Sequence, residues 1–92
     1  MIEFHADWCA ACRVLEKQTL AAPEIARESQ RFVTIRVDTT NDEEAGAAAA
    51  RYGVRELPTI AFVGSNGRPL ASPRLIGTVG VEALVAAMRS VH

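Results

Sequence analysis

Two cysteines separated by two residues constrain this chain more than any other feature. They lie in the segment Trp8-Cys9-Ala10-Ala11-Cys12, directly after a short apolar run, and they are the only two among 92 residues. Thiols at this spacing lie within one turn when the segment is helical. They can therefore close a small disulfide, or open to a dithiol, without rearranging the rest of a fold. The pattern predicts a redox pair, with a structural disulfide or half of a metal site as the alternatives.

Length and composition limit the chain to one small globular domain. Ninety-two residues suffice for one domain at most, and 49% of them are hydrophobic, which is typical of a packed protein. A net charge of −1 provides no basic surface for nucleic acid, and no apolar run is long enough to span a bilayer. We predict a single domain over residues 1–92. Because a strand pattern begins at Ile2 without a signal peptide or lead-in, we expect this domain to be a fragment of a longer chain.

The hydrophobic periodicity predicts an alternation of strands and helices. Apolar residues at every second position predict strands over 2–6 and 32–38, and two further strands are predicted over 59–63 and 74–78. Helical spacing predicts helices over 9–20, 23–29 and 81–90, and a further helix from the capping box Thr40-Asn41-Asp42-Glu43 to Tyr52. The segment Gly64-Ser65-Asn66-Gly67 predicts a tight turn that joins the last two strands as a hairpin. This order predicts an α/β fold with a mixed four-stranded sheet.

Two segments resemble the thioredoxin superfamily. Residues 3–13 resemble its active-site segment, and Leu57-Pro58-Thr59 resembles its cis-proline loop. Within the superfamily the chain is similar to the family of C-terminal thioredoxin-like domains of DsbD-type thiol:disulfide interchange proteins, which Glu16-Lys17 and Thr39-Thr40-Asn41-Asp42 also support. The resemblance implies a thioredoxin-like three-layer sandwich with helices on both faces of the sheet, lacking the usual first strand and helix. The strand over 32–38 would then be a free sheet edge.

The resemblance implies a thiol–disulfide oxidoreductase with Cys9, Cys12, Glu3 and Glu16 as catalytic residues. Cys9 would attack, because the N–H groups at a helix start favour a thiolate, and the more buried Cys12 would resolve the mixed disulfide. Glu3, six residues before Cys9, occupies the position of a buried acid that relays the Cys12 proton. The alternative for Glu3 is the solvent face of an amphipathic strand. Glu16 occupies the position of a second acid, and its alternative is a surface glutamate paired with Arg13.

Three further residues are expected to bind substrate. Trp8 would form an exposed apolar platform for partners, although a tryptophan can equally belong to the core. Pro58 is expected to be cis and to face the disulfide, and Leu57 to offer its backbone to an extended substrate strand. No cofactor is required beyond the redox-active disulfide. A zinc site needs about four ligands, and the chain adds only His5 and His92 to its cysteines, so no metal is expected.

The resemblance implies a reductase of partner proteins. Its partners would be disulfide-containing proteins and a thiol electron donor, such as a membrane domain of the same chain, with no nucleic acid and no small-molecule cofactor. The implied compartment is the periplasm, as a domain of an inner-membrane protein. Two alternatives stay open. One is a free-standing cytosolic thioredoxin-like reductase, and the other is a non-catalytic protein-binding module with a static disulfide.

Overall fold

A mixed four-stranded sheet forms the centre of the computed structural model, which describes residues 1–92. The strands are β1 (Ile2–His5), β2 (Ile35–Asp38), β3 (Thr59–Ala61) and β4 (Leu75–Ile76). Their order is β2-β1-β3-β4, with β1 parallel to β2 and antiparallel to β3, and with β3 antiparallel to β4. The strand that carries the residues just before the cysteines is therefore central. The predicted mixed sheet, with β2 at a free edge, is confirmed.

Helices follow the predicted order, with one change of helix type. They are α1 (Ala10–Leu15), a π-helical turn (Glu16–Leu20), α2 (Pro23–Ser29), α3 (Glu43–Arg51) and α4 (Val81–Ser90). The predicted helix over 9–20 is present, but its hydrogen-bonding pattern changes from α to π at Glu16. Pro23 occupies the first turn of α2, where a missing N–H removes no intrahelical bond. None of these helices combines the length and the apolar character that crossing a membrane requires.

The helices cover both faces of the sheet, as the resemblance implied. The larger core cluster joins β3 to α1, α2 and α4, and consists of Leu15, Ile25, Ile60, Phe62, Leu84, Ala87, Met88 and Val91. The smaller cluster lies under α3 on the opposite face, and consists of Ile2, Phe4, Ala49 and Ala61. Alternate residues of β1 and β3 therefore point into two separate cores. The three-layer arrangement follows from this burial on both faces.

All four strands are shorter than predicted, and β1 ends at His5 rather than at residue 6. β2 begins at Ile35 rather than at residue 32, because its only neighbour is β1, and Ile2 pairs with Ile35. β3 ends at Ala61, and β4 contains two residues. The predicted turn is present, since the Gly67 amide donates to the Gly64 carbonyl at 2.9 Å. A bridge between Val63 and Pro69 follows it, so β4 is reached only after a further loop.

The start of α3 differs from the predicted capping box. Asp42, not Thr40, is the N-cap, and its carboxylate accepts hydrogen bonds from the amides of Glu44 and Ala45. Thr40 is engaged elsewhere, because its hydroxyl accepts from the Asp7 amide. At the other end of α3, Gly53 has φ +68°, a left-handed conformation that glycine adopts readily after a helix.

Candidate redox site

Cys9 and Cys12 form a disulfide at the start of α1. Cys9 is the N-cap residue and Cys12 lies in the first turn, with their Cα atoms 5.3 Å apart. The two residues are 6% and 3% exposed, so Cys12 is the more buried, and the amide of Cys12 donates to Cys9 Sγ at 3.1 Å. An N–H group aimed at Cys9 Sγ stabilises negative charge there once the disulfide opens. The local geometry thus suits Cys9 as the attacking sulfur.

The segment before Cys9 is held by hydrogen bonds to three parts of the chain. The Cys9 amide donates to the Ala6 carbonyl at 3.2 Å, and the Asp7 amide donates to the Thr40 hydroxyl at 2.8 Å. Arg13 lies in α1, and its Nη1 donates to the Asp7 carbonyl at 2.6 Å. These bonds leave Trp8 70% exposed beside the disulfide. The core alternative for Trp8 is therefore wrong, and its role in binding partners stays a prediction.

The loop before β3 adjoins the cysteine pair. The Leu57–Pro58 peptide is cis, as the resemblance implied. Leu57 packs against the small cluster formed by Ala6, Cys9 and Cys12, while Pro58 is fully buried. The loop is fixed on both sides, because the Thr59 hydroxyl donates to the Glu56 carbonyl at 2.6 Å and the Gly77 amide donates to the Pro58 carbonyl at 2.9 Å. The contact of Pro58 with the disulfide stays a prediction.

A second cis peptide joins Ser72 to Pro73. The sequence analysis did not predict it, because an X-Pro pair by itself carries no signal for the isomer.

Glu3 is buried, with 3% of its surface exposed. It lies opposite Ile60 in the pairing of β1 with β3, so it points to the face that α1, α2 and α4 cover. The solvent-face alternative is therefore wrong. The alternation in β1 correctly predicts that Glu3 and Phe4 point to opposite faces of the sheet. Helices cover both faces of this central strand, so both side chains are buried. Arg36 Nε donates to Glu3 Oε1 at 2.6 Å, and Glu3 Oε2 is buried without a hydrogen-bond partner.

Glu16 is half-exposed at the beginning of the π-helical turn. Its Oε1 accepts from Arg36 Nη1 at 3.4 Å. The alternative that pairs Glu16 with Arg13 is not observed, because Arg13 is bound to the Asp7 carbonyl instead. The hydrogen bond that Arg36 donates to Glu3 raises the pKa of the Arg36 guanidinium above its usual value. The negative charges of Glu3 and Glu16 act in the same direction, against partial desolvation.

A polar cleft beside the disulfide brings several of these side chains together. Its lining residues are His5, Ala6, Asp7, Cys12, Arg13, Glu16 and Arg36. Cys12 therefore borders charged groups of both signs, although it is itself buried. Sequence reasoning did not select Arg36. The one signal for Arg36 in the sequence is that it is a basic residue within the strand predicted over 32–38. Parallel pairing of β2 with β1 places this residue directly opposite Glu3.

The side chains do not converge on a metal ion. No group of three or more His, Cys, Asp or Glu residues is placed to hold one. The group that the site does hold is the Cys9–Cys12 disulfide.

Comparison with protein families and curated relatives extends this description. The family model of the thioredoxin-like domain matches residues 1–92. DsbD of Haemophilus influenzae (strain PittEE) is 30% identical over 93 residues, which cover 100% of this chain and 16% of that protein. DsbD of Vibrio vulnificus (strain CMCP6) is 36% identical over 78 residues, which cover 84% of this chain and 13% of that protein. The chain thus spans a small part of these relatives.

Solved structures agree with the assignment. The oxidised C-terminal domain of DsbD from Neisseria meningitidis matches with a TM-score of 0.84 and 27% identity, covering 99% of this chain and 78% of that one. A thioredoxin from Thermus thermophilus matches with a TM-score of 0.82 and 26% identity, covering 97% and 69%. With the Cys9–Cys12 pair, these matches support thiol–disulfide exchange as the general activity. The chain belongs to the family of thioredoxin-like domains and is similar to the C-terminal domain of DsbD.

Proposed function

We propose that this domain reduces disulfide bonds of partner proteins and receives its electrons from a membrane-embedded thiol pair. The observation that carries the proposal is the Cys9–Cys12 disulfide at the start of α1, beside exposed Trp8 and the cis-proline loop. A disulfide in this setting can exchange with an external thiol without unfolding the domain. The relatives' description as thiol:disulfide interchange proteins supports the same chemistry.

Substrate reduction begins from the dithiol form. The Cys9 thiolate attacks one sulfur of a substrate disulfide, so a new bond forms between Cys9 Sγ and that sulfur, and the other substrate sulfur leaves as a thiolate. The Cys12 thiolate then attacks Cys9 Sγ and releases the second substrate sulfur. The substrate gains two electrons and takes up two protons, while the domain is oxidised to its disulfide.

Renewal of the dithiol reverses these steps with a different partner. A thiolate of the donor attacks Cys9 Sγ, and the electron pair of the Cys9–Cys12 bond leaves on Cys12 Sγ. The second donor thiol then releases Cys9, so the donor ends as a disulfide. Cys9 is the expected point of attack because it is the N-cap residue of α1 and follows the exposed Trp8 directly, whereas Cys12 lies within the first turn of the helix.

The surface around the disulfide offers partners two kinds of contact. Trp8 provides a flat apolar platform of the type that dominates protein interfaces. Leu57 lies against the cysteines, and its backbone amide and carbonyl make no hydrogen bond within the chain. An extended substrate segment could therefore pair with the backbone at Leu57 while its disulfide approaches Cys9. We assign substrate binding to Trp8, Leu57 and Pro58 on this basis.

We extend the proposal to the setting of the domain. The domain would belong to a longer inner-membrane protein and would work on the periplasmic side. The similarity to DsbD supports this part of the proposal. The aligned residues make up 16% of the length of that protein. The cytosolic alternative differs in its electron donor, which would be a soluble flavoenzyme.

Two single-cysteine variants test the exchange reaction. With a disulfide-bonded peptide as substrate, Cys12→Ser is expected to accumulate a covalent adduct on non-reducing gels, because the mixed disulfide forms and cannot be resolved. Cys9→Ser is the matched control and is expected to form little adduct. If neither variant forms an adduct and the wild-type disulfide resists reduction, the binding-module alternative is supported and the proposal fails.

The donor is tested separately with the wild-type disulfide. Inner-membrane vesicles that contain a DsbD-type thiol pair are expected to reduce it faster than a soluble flavoenzyme supplied with its nicotinamide. Faster reduction by the flavoenzyme would contradict the membrane donor and support the cytosolic alternative.

A further inference from the structure

We propose that Arg36 is a positioning residue that keeps a positive charge in the cleft beside Cys12 and thereby favours the Cys12 thiolate. The inference rests on the proposed function, because that thiolate forms when a donor attacks Cys9 and again when Cys12 resolves a mixed disulfide. Arg36 would thus assist both halves of the cycle. This electrostatic role requires no contact between Arg36 and the substrate.

Two carboxylates fix the guanidinium of Arg36. Strand register places Arg36 directly opposite Glu3, and Nε reaches Glu3 Oε1 at 2.6 Å. On the solvent side, Nη1 reaches Glu16 Oε1 at 3.4 Å. The Glu3 side chain is only 4% exposed, whereas the Arg36 side chain is 48% exposed. Arg36 therefore has a rigid anchor in the protein interior and a second partner at the cleft.

The second observation is that Arg36 borders the same cleft as Cys12. Glu16 and Arg13 border it too, but the two arginines differ in what holds them. Arg13 donates to the backbone carbonyl of Asp7, while Arg36 is bound by two side-chain carboxylates. Because Arg13 lines the cleft and holds the redox segment itself, the matched control is Arg68, an exposed arginine that does not line the cleft and whose loss removes the same charge elsewhere.

The charges predict the direction of the effect. The net formal charge of the group formed by Glu3, Glu16 and Arg36 is −1. Loss of Arg36 would leave both carboxylates without a compensating positive charge. Nearby negative charge disfavours a thiolate and nearby positive charge favours it. Solvent around the half-exposed Arg36 weakens this influence, so a moderate effect of about five- to tenfold on rate is expected.

The test is the rate at which dithiothreitol reduces the oxidised protein at pH 7, followed by Trp8 fluorescence. Arg36→Met is expected to lower the second-order rate constant about five- to tenfold relative to wild type. Arg36→Lys keeps the charge and is expected to retain at least half of the rate. Arg68→Met removes a positive charge outside the cleft and is expected to change the rate less than twofold. A rate for Arg36→Met equal to wild type, or equal to that of Arg68→Met, would overturn the inference.

Arg36→Met leaves the buried Glu3 carboxylate unpaired, so the same substitution is also made in a Glu3→Gln background. The double variant is expected to be reduced several-fold more slowly than Glu3→Gln alone, because the positive charge near Cys12 is lost there too. Equal rates in that pair would show that Arg36 acts only by neutralising Glu3, which would overturn the inference. Urea unfolding of each variant confirms that folded proteins are compared.

The outcome separates this inference from the proposed function. If dithiothreitol does not reduce wild type, or if Cys12→Ser forms no adduct with substrate, the exchange function itself fails. If wild type is reduced and forms the expected adducts while the Arg36 variants match it, only the role of Arg36 fails.

Discussion

The amide of Asp7 donates to the hydroxyl of Thr40 at 2.8 Å. This bond ties the segment that leads into the cysteine pair to the loop between β2 and α3, which lies 33 residues further along the chain. The same hydroxyl donates to the Asp38 carboxylate, and the Thr40 amide donates to that carboxylate at 3.0 Å. Thr40 therefore connects a titratable group at the end of β2 to the redox segment.

The Asp38 carboxylate gives the fold a specific acid sensitivity. Hydrogen bonds from the Thr40 hydroxyl and amide lower the pKa of Asp38 below its usual 3.8, and the charges of His5 and Arg36 add to this against slight desolvation. A lowered folded-state pKa stabilises the fold above pH 3.8, and this contribution disappears as the pH falls through the folded-state pKa. Asp38→Asn should therefore lose less unfolding free energy than wild type between pH 5 and pH 2.5.

Urea unfolding at these two pH values measures the effect. Glu56→Gln is the matched control, since Glu56 is an exposed acid outside any helix and its carboxylate makes no ion pair. This variant should lose as much stability in acid as wild type does. An Asp38→Asn protein with the full wild-type loss of stability in acid would contradict the assignment.

Trp8 should matter for partners far more than for folding. Its side chain is 70% exposed, so Trp8→Ala should change the free energy of unfolding by less than about 0.5 kcal/mol. The same change should lower kcat/KM for a disulfide-bonded protein substrate about tenfold, which corresponds to about 1.4 kcal/mol of interface contact. Val33→Ala removes another exposed apolar side chain, 80% exposed on the loop before β2, and should leave kcat/KM unchanged. Equal kcat/KM for Trp8→Ala and wild type would exclude a platform at Trp8.

Thr19 should anchor the π-helical turn. Its side chain is buried, and its hydroxyl donates to the Val79 carbonyl at 2.6 Å, just before α4. Thr19→Val preserves shape but leaves that carbonyl unpaired, so it should cost about 1–3 kcal/mol of unfolding free energy. Thr34→Val, at an exposed position, is the control and should stay within about 0.5 kcal/mol of wild type. A neutral Thr19→Val would show that this bond does not stabilise the fold.

The redox segment could be predicted from sequence because its signals are local. The spacing of the cysteines, the alternation before them and the helical pattern after them lie within about twenty residues. The cis peptide at Pro58 came from the resemblance alone. Thr40 and Asp42 show the limit of local reasoning, since both can cap a helix. The choice of Asp42 follows from the contact of Thr40 with Asp7, which no local pattern contains.

The electrostatic part of the site depends on long-range register. Alternation separates Glu3 from Phe4 but cannot show that helices cover both faces of β1. Arg36 meets Glu3 only because β2 pairs with β1 in one particular register. For the same reason, the local sequence offers Glu16 only the nearby Arg13 as a partner, whereas the structure pairs it with Arg36 on a different element.

The most direct test of the account is a redox titration of the Cys9–Cys12 couple against a defined thiol/disulfide buffer, followed by Trp8 fluorescence. A reductase of partner proteins is expected to show a reversible two-electron transition near the reducing end of the thioredoxin-type range, about −270 mV. A transition near the oxidising end, about −120 mV, would make the domain a disulfide donor rather than a reductase. The absence of any reversible transition would show that the disulfide is structural and would contradict the central claim.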